Sequence, residues 1–267
     1  MNPDFSKIIS QSNHLIIALF FSVVTFINAE TPFAIGELNN QLILVLTNSI
    51  SDTNGYLYCF ERENSKMEWK QISKPIKVVI GRAGLAAGIG LHNSSDLTNL
   101  PTKVEGDGKS PAGIFNLSSV FGYNSTEQMT ELKMPYTHIS EMIECIDDSS
   151  SKFYNQLVAR DKIKAINGVD WNSSEKMREA GIYYELGVVV DHNSNSKKGA
   201  GSCIFLHNWA DSNETMAGCT AMASEKMKEI AFWLDATRNP IIVQLTKQLY
   251  SDLVTKWNLP EVNKDSN

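Results

Sequence analysis

Short apolar runs separated by polar turns fill the first part of the chain. Residues 41–47 (QLILVLT) and 55–61 (GYLYCFE) have the β-branched and aromatic composition of strands. Residues 67–72 and 77–80 repeat the pattern after turns of Asn, Asp, Ser and Gly. Short strands joined by polar turns are typical of an antiparallel meander. This part of the sequence therefore predicts a β-rich start to the fold.

Strand spacing and helical spacing both occur in the second half. Residues 182–191 and 202–209 are two strand-like runs joined by a polar turn, which predicts a hairpin. Residues 224–238 carry apolar residues at positions i, i+3, i+4 and i+7, as an amphipathic helix does, and a strand follows at 241–245. Helical segments are also predicted at 151–161, 173–180 and 247–257. The whole pattern predicts a mainly β domain with a few peripheral α-helices.

The candidate chemistry lies at 201–222 (GSCIFLHNWADSNETMAGCTAM). Alternation along its first strand puts Cys203 and His207 on one face, with His207 at the strand's C-terminal end beside solvent. Turn-forming residues then lead the chain back to Gly218 and Cys219. Local sequence alone therefore brings a thiol close to a base.

Cys219 is the candidate nucleophile. A thiol is only a few per cent ionised near neutral pH, so it needs a neighbouring imidazole or a helix N-terminus. We expect His207 to be the base and a helix capped by Ser224 to begin close to the sulfur. Gly218 is expected to take a positive φ, so that the Cys219 N–H, with that of Gly218 or Thr220, can stabilise an oxyanion.

The same residues allow other roles. Free cysteine is among the most buried residue types, and a strand histidine is often a packing residue. Cys203, His207 and Cys219 could also ligate zinc with Asp191 or His192, but no C-x-x-C pair is present, and we expect neither a metal nor another cofactor. If His207 is the base, a backbone carbonyl or the side chain of Asn208 or Asp211 would orient it.

Residues 81–113 are rich in glycine, and two nucleotide-binding motifs can be tested there. The run GKS at 108–110 ends like a P-loop, but Lys103 occupies the position of the first glycine. The run GIG at 88–90 begins like a dinucleotide fingerprint, but Asn93 occupies the third glycine position. We therefore expect no nucleotide as a partner.

Several of these motifs resemble the catalytic domain of the L,D-transpeptidase (YkuD-like) family. The likeness rests on GSCIFLHNW at 201–209 and AGCTAM at 217–222, and it covers roughly 75–245. Its other segments are VVIGRAGL at 78–85, EGDGKSPAGIF at 105–115, FGY at 121–123, CIDD at 145–148, YN at 154–155 and SSEKM at 173–177. The resemblance implies a β-sandwich or mixed sheet with a few peripheral helices.

The resemblance also implies acyl transfer on peptidoglycan stem peptides through a Cys219 thioester, with His207 as general base. A carboxypeptidase or amidase on the same scaffold, or a wall-binding module without turnover, are the alternatives. Ala221 stands where many family members have an arginine. A substrate carboxylate would then need another cation, for which Arg82 and Lys109 are the candidates.

The N-terminus predicts export. Lys7 precedes an apolar run at 15–27, and Ala29 provides a small residue for cleavage, which is typical of a secretory signal peptide at 1–29. We expect a protein of the periplasm or cell envelope, in contact with a membrane only if this segment stays uncleaved. The net charge is −6 without a basic patch, which argues against nucleic acid as a partner.

The rest of the chain divides into strands at 30–74 packed on a catalytic domain at 75–250, and a tail at 251–267. A catalytic Cys219 must stay free, which leaves at most one disulfide among the other three cysteines. We expect those three to be buried thiols. They are Cys59, Cys145 and Cys203.

Overall fold

A computed structural model describes residues 35–36 and 38–262. The predicted signal peptide at 1–29 lies outside these residues. Within them, no helix is both long enough and apolar enough to span a bilayer.

Strands dominate the described part of the chain. They are β1 (Gln41–Thr47), β2 (Asn54–Glu61), β3 (Lys70–Gln71), β4 (Ile76–Val79), β5 (Leu85–Ala87), β6 (Ser110–Gly122), β7 (Tyr136–His138), β8 (Ile143–Cys145), β9 (Leu157–Ala159), β10 (Glu175–Lys176), β11 (Leu186–Val190), β12 (Phe205–Asn208), β13 (Thr220–Met222) and β14 (Ile241–Thr246). The α-helices are α1 (Arg160–Asn167), α2 (Ser224–Trp233) and α3 (Lys247–Leu253), and short 3₁₀ segments lie at Ser94–Leu97, Thr126–Gln128, Met177–Tyr184 and Ala236–Arg238.

Eight strands close into a barrel in the order β1-β14-β6-β11-β12-β13-β4-β2, because β2 also pairs with β1. The β1–β14 and β12–β13 contacts are parallel, and the other contacts around the barrel are antiparallel. β3 pairs with β2, while β5 and β7 pair with β6. The predicted mainly β fold with a mixed sheet and few helices is confirmed, and closure removes the free edges that an open sheet would expose.

Strand β1 shows why the N-terminal strands belong to this barrel. All seven of its residues are buried, so its near-continuous apolar sequence matches a strand covered on both faces. It pairs with β2 on one side and β14 on the other. Residues 41–61 therefore form part of the barrel wall.

Two predicted helices are wrong in position. Residues 157–159 form β9 instead of helix, and α1 begins only at Arg160, because β9 pairs with β8. Glu175–Lys176 is strand β10, and a 3₁₀ segment follows it, with Gly181 at a φ of 60°. Strands β10, β8 and β9 form a separate small sheet whose pairings override local helical spacing.

The segment after α3 also packs into the core. Leu253 and Trp257 are buried in the large apolar cluster, and the Trp257 indole N–H donates to Asp96 at 2.7 Å. The helix predicted at 247–257 is found over its first part as α3, which ends at Leu253.

Candidate functional site

Strand β12 positions His207 between two neighbouring strands. His207 lies opposite Gly187 of β11 and opposite Ala221 of β13, and the predicted β11–β12 hairpin pairing is confirmed. The predicted alternation is also confirmed within β12. Cys203 and Phe205 pack in one apolar cluster, whereas Ile204 and Leu206 pack in the large apolar cluster of the core. His207 is 4% exposed, so the expectation that it lies beside solvent is wrong.

Cys219 lies directly before β13, where parallel pairing with β12 brings it beside Phe205. The Phe205 N–H donates to the Cys219 Sγ at 3.3 Å, and the thiol donates to the Cys203 carbonyl at 3.4 Å. Cys219 is 7% exposed. The neighbouring backbone therefore fixes the direction of the thiol.

Cys219 and His207 line the same cavity, which has a volume of about 480 Å³. The other residues that line it are Glu175, Ala180, Tyr183, Tyr184, Glu214, Thr215, Met216 and Ala217. The described hydrogen bonds of the thiol are with the backbone of Phe205 and Cys203. The described hydrogen bond of the His207 ring is with the Asn208 carbonyl. The structure thus places the two candidate catalytic side chains in one cavity without a hydrogen bond between them.

The Asn208 backbone orients the imidazole. His207 Nδ1 lies 2.6 Å from the Asn208 carbonyl, which can only accept, so Nδ1 carries the proton and Nε2 keeps its lone pair. The Asn208 side chain donates to the Ile182 carbonyl instead, and Asp211 accepts from the Asn213 N–H. Of the predicted orienting groups, the backbone carbonyl makes the contact.

Burial favours the neutral forms of the His207 and Cys219 side chains. It lowers the pKa of His207 to about 4, against a smaller opposing effect of the Asn208 carbonyl. It also raises the pKa of the Cys219 thiol, and the nearby carboxylate of Glu175 adds to that rise. The site at neutral pH therefore holds a thiol and a neutral imidazole, and not a preformed thiolate–imidazolium pair.

The predicted role of Gly218 needs a correction. Gly218 is not among the residues with positive φ. A Cβ at this position would lie 3.2 Å from the Lys109 carbonyl oxygen and 3.3 Å from Ile204 Cδ1, so glycine permits close backbone approach. Thr220 does not line the cavity, and its hydroxyl donates to Gln244 at 2.8 Å.

The expected helix cap is also wrong. Strand β13 lies between Cys219 and α2, and the N-cap of α2 is Ala223 instead of Ser224. Ser224 lines a different cavity from the one that contains the thiol. The N-terminus of α2 therefore does not directly follow Cys219 in the chain, and the expected activation of the thiol by that helix terminus is not found.

Arg82 and Lys109 lie in loops that contact the backbone beside Cys219. The Arg82 N–H donates to the Met216 carbonyl at 2.7 Å. Arg82 is exposed, and Lys109 Nζ donates to the Ala83 carbonyl at 2.6 Å. Neither side chain lines the cavity, whose described lining contains two carboxylates and no Lys or Arg.

Four cavity residues with titratable side chains were not predicted as site residues from the sequence. Tyr184 donates to Glu175 Oε2 at 2.5 Å, and Tyr183 donates to Glu214 at 3.2 Å. Burial raises the pKa of Glu175 to about 7, against the hydrogen bond from Tyr184. Glu175 belongs to the SSEKM motif at 173–177, so the sequence did mark this segment. Because a helix was predicted there instead of β10, the position of the Glu175 side chain in the cavity could not be predicted.

The cysteine pairing differs from the expectation of three buried thiols. Cys145 and Cys203 form a disulfide with a Cα–Cα distance of 6.0 Å, while Cys59 and Cys219 are free and buried. The disulfide removes Cys203 from the zinc alternative. No group of three or more His, Cys, Asp or Glu residues within 35–36 and 38–262 could hold a metal ion. His192 instead contacts the Ala200 carbonyl and the Ile89 N–H.

No family model and no curated protein matches the chain. Among solved structures, it is similar to the helical cell shape determining protein Pgp2 from Campylobacter jejuni, with 13% sequence identity and a TM-score of 0.39. The match covers 82% of this chain and 52% of that one, so this chain spans about half the length of the structure it matches. A likeness at this level carries no functional conclusion.

Proposed function

We propose that the protein transfers acyl groups from peptides through a thioester on Cys219, with His207 as general base. The supporting observation is that both side chains line one cavity while the Asn208 carbonyl holds Nδ1–H and leaves Nε2 free. The disulfide between Cys145 and Cys203 fits an exported protein, because structural disulfides persist in oxidising compartments.

The proposed reaction starts from the neutral pair. His207 Nε2 accepts the thiol proton as Cys219 Sγ attacks the peptide carbonyl, so charge separation occurs only when substrate is bound. The protonated imidazole then gives this proton to the leaving amine, which leaves a thioester. An incoming amine or water takes the acyl group and restores the thiol. Backbone N–H groups at 218–219 are the candidate oxyanion donors.

Peptidoglycan stem peptides are the proposed acyl donors, because the motifs around both catalytic candidates resemble the L,D-transpeptidase family. Transfer to an amine would make the protein an L,D-transpeptidase, and transfer to water would make it a carboxypeptidase or amidase. Both reactions share the acyl-enzyme. A wall-binding module would form no thioester at all.

Incubation with purified muropeptides, followed by mass spectrometry of protein and products, tests the proposal. We expect an acyl adduct on Cys219, no turnover by Cys219→Ala, and a loss of roughly 10²–10⁴-fold in Cys219 acylation for His207→Gln, the range typical of a general base. Parallel reactions with and without an added amine distinguish transferase from hydrolase.

Two variants provide matched controls. Cys59→Ala removes the other free thiol, and His138→Gln removes an exposed histidine whose Nδ1 also contacts a carbonyl, that of Asn124 at 2.8 Å. Both should retain full activity. Turnover by folded Cys219→Ala, or the absence of any adduct on the wild-type protein, would contradict the proposed function.

A further inference from the structure

A second cavity, with a volume of about 700 Å³, lies on the other side of β12. No residue lines both this cavity and the one that contains Cys219. Strand β12 contributes His207 to the catalytic cavity and Asn208 to the second one, in keeping with the alternation of side chains along a strand. We call the second one the Asn208 cavity.

Asn208 lines this cavity and carries a side-chain acceptor without a described partner. The residue is 3% exposed, and its Nδ2 donates to the Ile182 carbonyl at 3.0 Å. Because that carbonyl can only accept, the amide is fixed with Oδ1 away from it. Asn208 Oδ1 is buried without a hydrogen-bond partner among the described residues. A buried acceptor without a partner is unfavourable, so an N–H or O–H donor that reaches Oδ1 from the cavity would remove this cost.

The charges around the cavity point to a ligand that carries both signs. Arg178 and Lys228 line it together with Glu185 and Glu225. None of these four forms an ion pair with another of them among the described salt bridges. Arg178 lies over the Tyr123 ring at 4.0 Å and has its only described ion pair, at 3.9 Å, with Glu141 outside the cavity. Lys228, Glu185 and Glu225 thus have no ion pair among the described salt bridges, and Arg178 has a single long one outside the cavity.

We propose that the Asn208 cavity binds a short zwitterionic peptide. A peptide N–H would donate to Asn208 Oδ1, the carboxylate would lie near Arg178 and Lys228, and the ammonium near Glu185 and Glu225. A cavity of this size accommodates several residues, since ligand pockets typically measure about 300–1,000 Å³. The site is separate from Cys219, so peptide binding here does not depend on the proposed reaction.

Isothermal titration with trialanine, measured on the folded Cys219→Ala protein so that no turnover interferes, tests this site. Trialanine with free termini should bind saturably. N-acetylation or C-amidation should each weaken binding several-fold, and the doubly blocked peptide should bind worst. Absence of saturable binding, or equal binding of free and blocked peptides, would overturn the proposal.

The contact with Asn208 can be tested without changing the protein. Two depsipeptides, in which an ester oxygen replaces one or the other amide N–H of trialanine, leave both terminal charges in place. We expect one of them to bind about tenfold more weakly, because it leaves the buried Oδ1 without its donor. If both bind as trialanine does, Asn208 does not contact the peptide backbone.

Surface variants locate the charged contacts. Arg178→Gln and Lys228→Gln should each reduce the affinity for trialanine at least threefold and should not affect the C-amidated peptide. Lys226→Gln is the matched control, because Lys226 lies on the same helix, pairs with Glu229 at 2.7 Å and does not line the cavity. Equal effects of Lys226→Gln and Lys228→Gln would show that the peptide binds elsewhere.

Discussion

Ser110 links the glycine loop to the backbone of the candidate nucleophile. Its fully buried hydroxyl accepts from the Gly81 N–H at 2.9 Å and donates to the Cys219 carbonyl at 3.1 Å. One side chain thus satisfies two buried backbone groups on different segments. The position of Cys219 therefore depends on a residue that does not touch the cavity.

We predict that Ser110→Ala destabilises the protein by about 1–3 kcal/mol, because it leaves a buried N–H and a buried carbonyl without a partner. Urea denaturation measures the effect. Ser118→Ala is the control on the same strand, since Ser118 is exposed and its described hydrogen bond is the one it donates to Asp191 at 2.6 Å. An equal, small loss in both variants would show that Ser110 does not hold the two segments.

At this scale, the sequence predicts those site residues that lie on one short stretch. Alternation along β12 correctly put Phe205 and His207 on one face, because both rings contact Tyr184. Cys203 lies before this strand with a φ of 54°, so strand alternation does not describe it. The proximity of this stretch to Cys219 follows from a single excursion of the chain. Glu175 and Tyr184 were missed, because a strand and a 3₁₀ segment bring them to the cavity, and local spacing there resembles a helix. Arg82 was placed in the correct loop, but its side chain lies outside the cavity.

Among the elements, the small sheet of β8, β9 and β10 carries part of the cavity wall. Glu175 lies in β10, and Cys145 in β8 is joined by the disulfide to Cys203. Cys203 has a φ of 54°, and its carbonyl accepts the hydrogen bond from the Cys219 thiol. The disulfide therefore connects this sheet to the segment that directs the Cys219 thiol.

Reduction of the disulfide should destabilise the protein by roughly 2–4 kcal/mol, because it releases a constraint across a long loop of the unfolded chain. Thermal unfolding with and without dithiothreitol measures the change. The double variant Cys145→Ala/Cys203→Ala should unfold at a lower temperature than the oxidised protein and should not respond to the reductant. A wild-type melting temperature unaffected by complete reduction would contradict this prediction.

Elements were predictable where the apolar run was long and its turns were polar. Strands β1, β2, β11, β12 and β14 lie within a residue or a few of their predicted positions. Residues 157–159 were predicted as helix because their partner, β8, is separated from them by a loop that local spacing does not reveal. Pairing with β8 makes these residues a strand instead of a helix.

For the whole molecule, buried histidines make stability depend on pH. Burial lowers the pKa values of His192 and His207 to about 4, and it lowers that of His92 as well. An unfolded chain protonates these rings near pH 6.5, so between pH 6.5 and 4 the unfolded state binds more protons. Stability from these groups is therefore present above pH 6.5 and falls as the pH decreases.

We predict a loss on the order of 3 kcal/mol from each of His192 and His207 between pH 6.5 and 4, as the shift from 6.5 to about 4 implies. Glu175 offsets part of this loss of stability, because its raised pKa lets the folded state gain a proton below pH 7. Urea denaturation at several pH values measures the slope. His207→Gln should show a shallower slope than wild type or the exposed-site variant His138→Gln, and identical slopes would contradict the prediction.

Closure of the barrel was the feature that the sequence did not reveal. The fold class follows from strand-like runs, but the parallel register of β1 on β14 joins Leu42 to Ile241, far apart in the chain. No local pattern encodes such a pairing. The same holds for β13 on β4, where Ala221 meets Val79.

The pairing of β1 with β14 also sets an order of events during synthesis. The barrel cannot close until Ile241–Thr246 has left the ribosome, because β1 lacks one of its two neighbours until then. Contacts between distant segments form slowly, since the long intervening chain must first be brought together. For a chain that is exported, as proposed, the barrel would therefore stay open until nearly all of the polypeptide has been made.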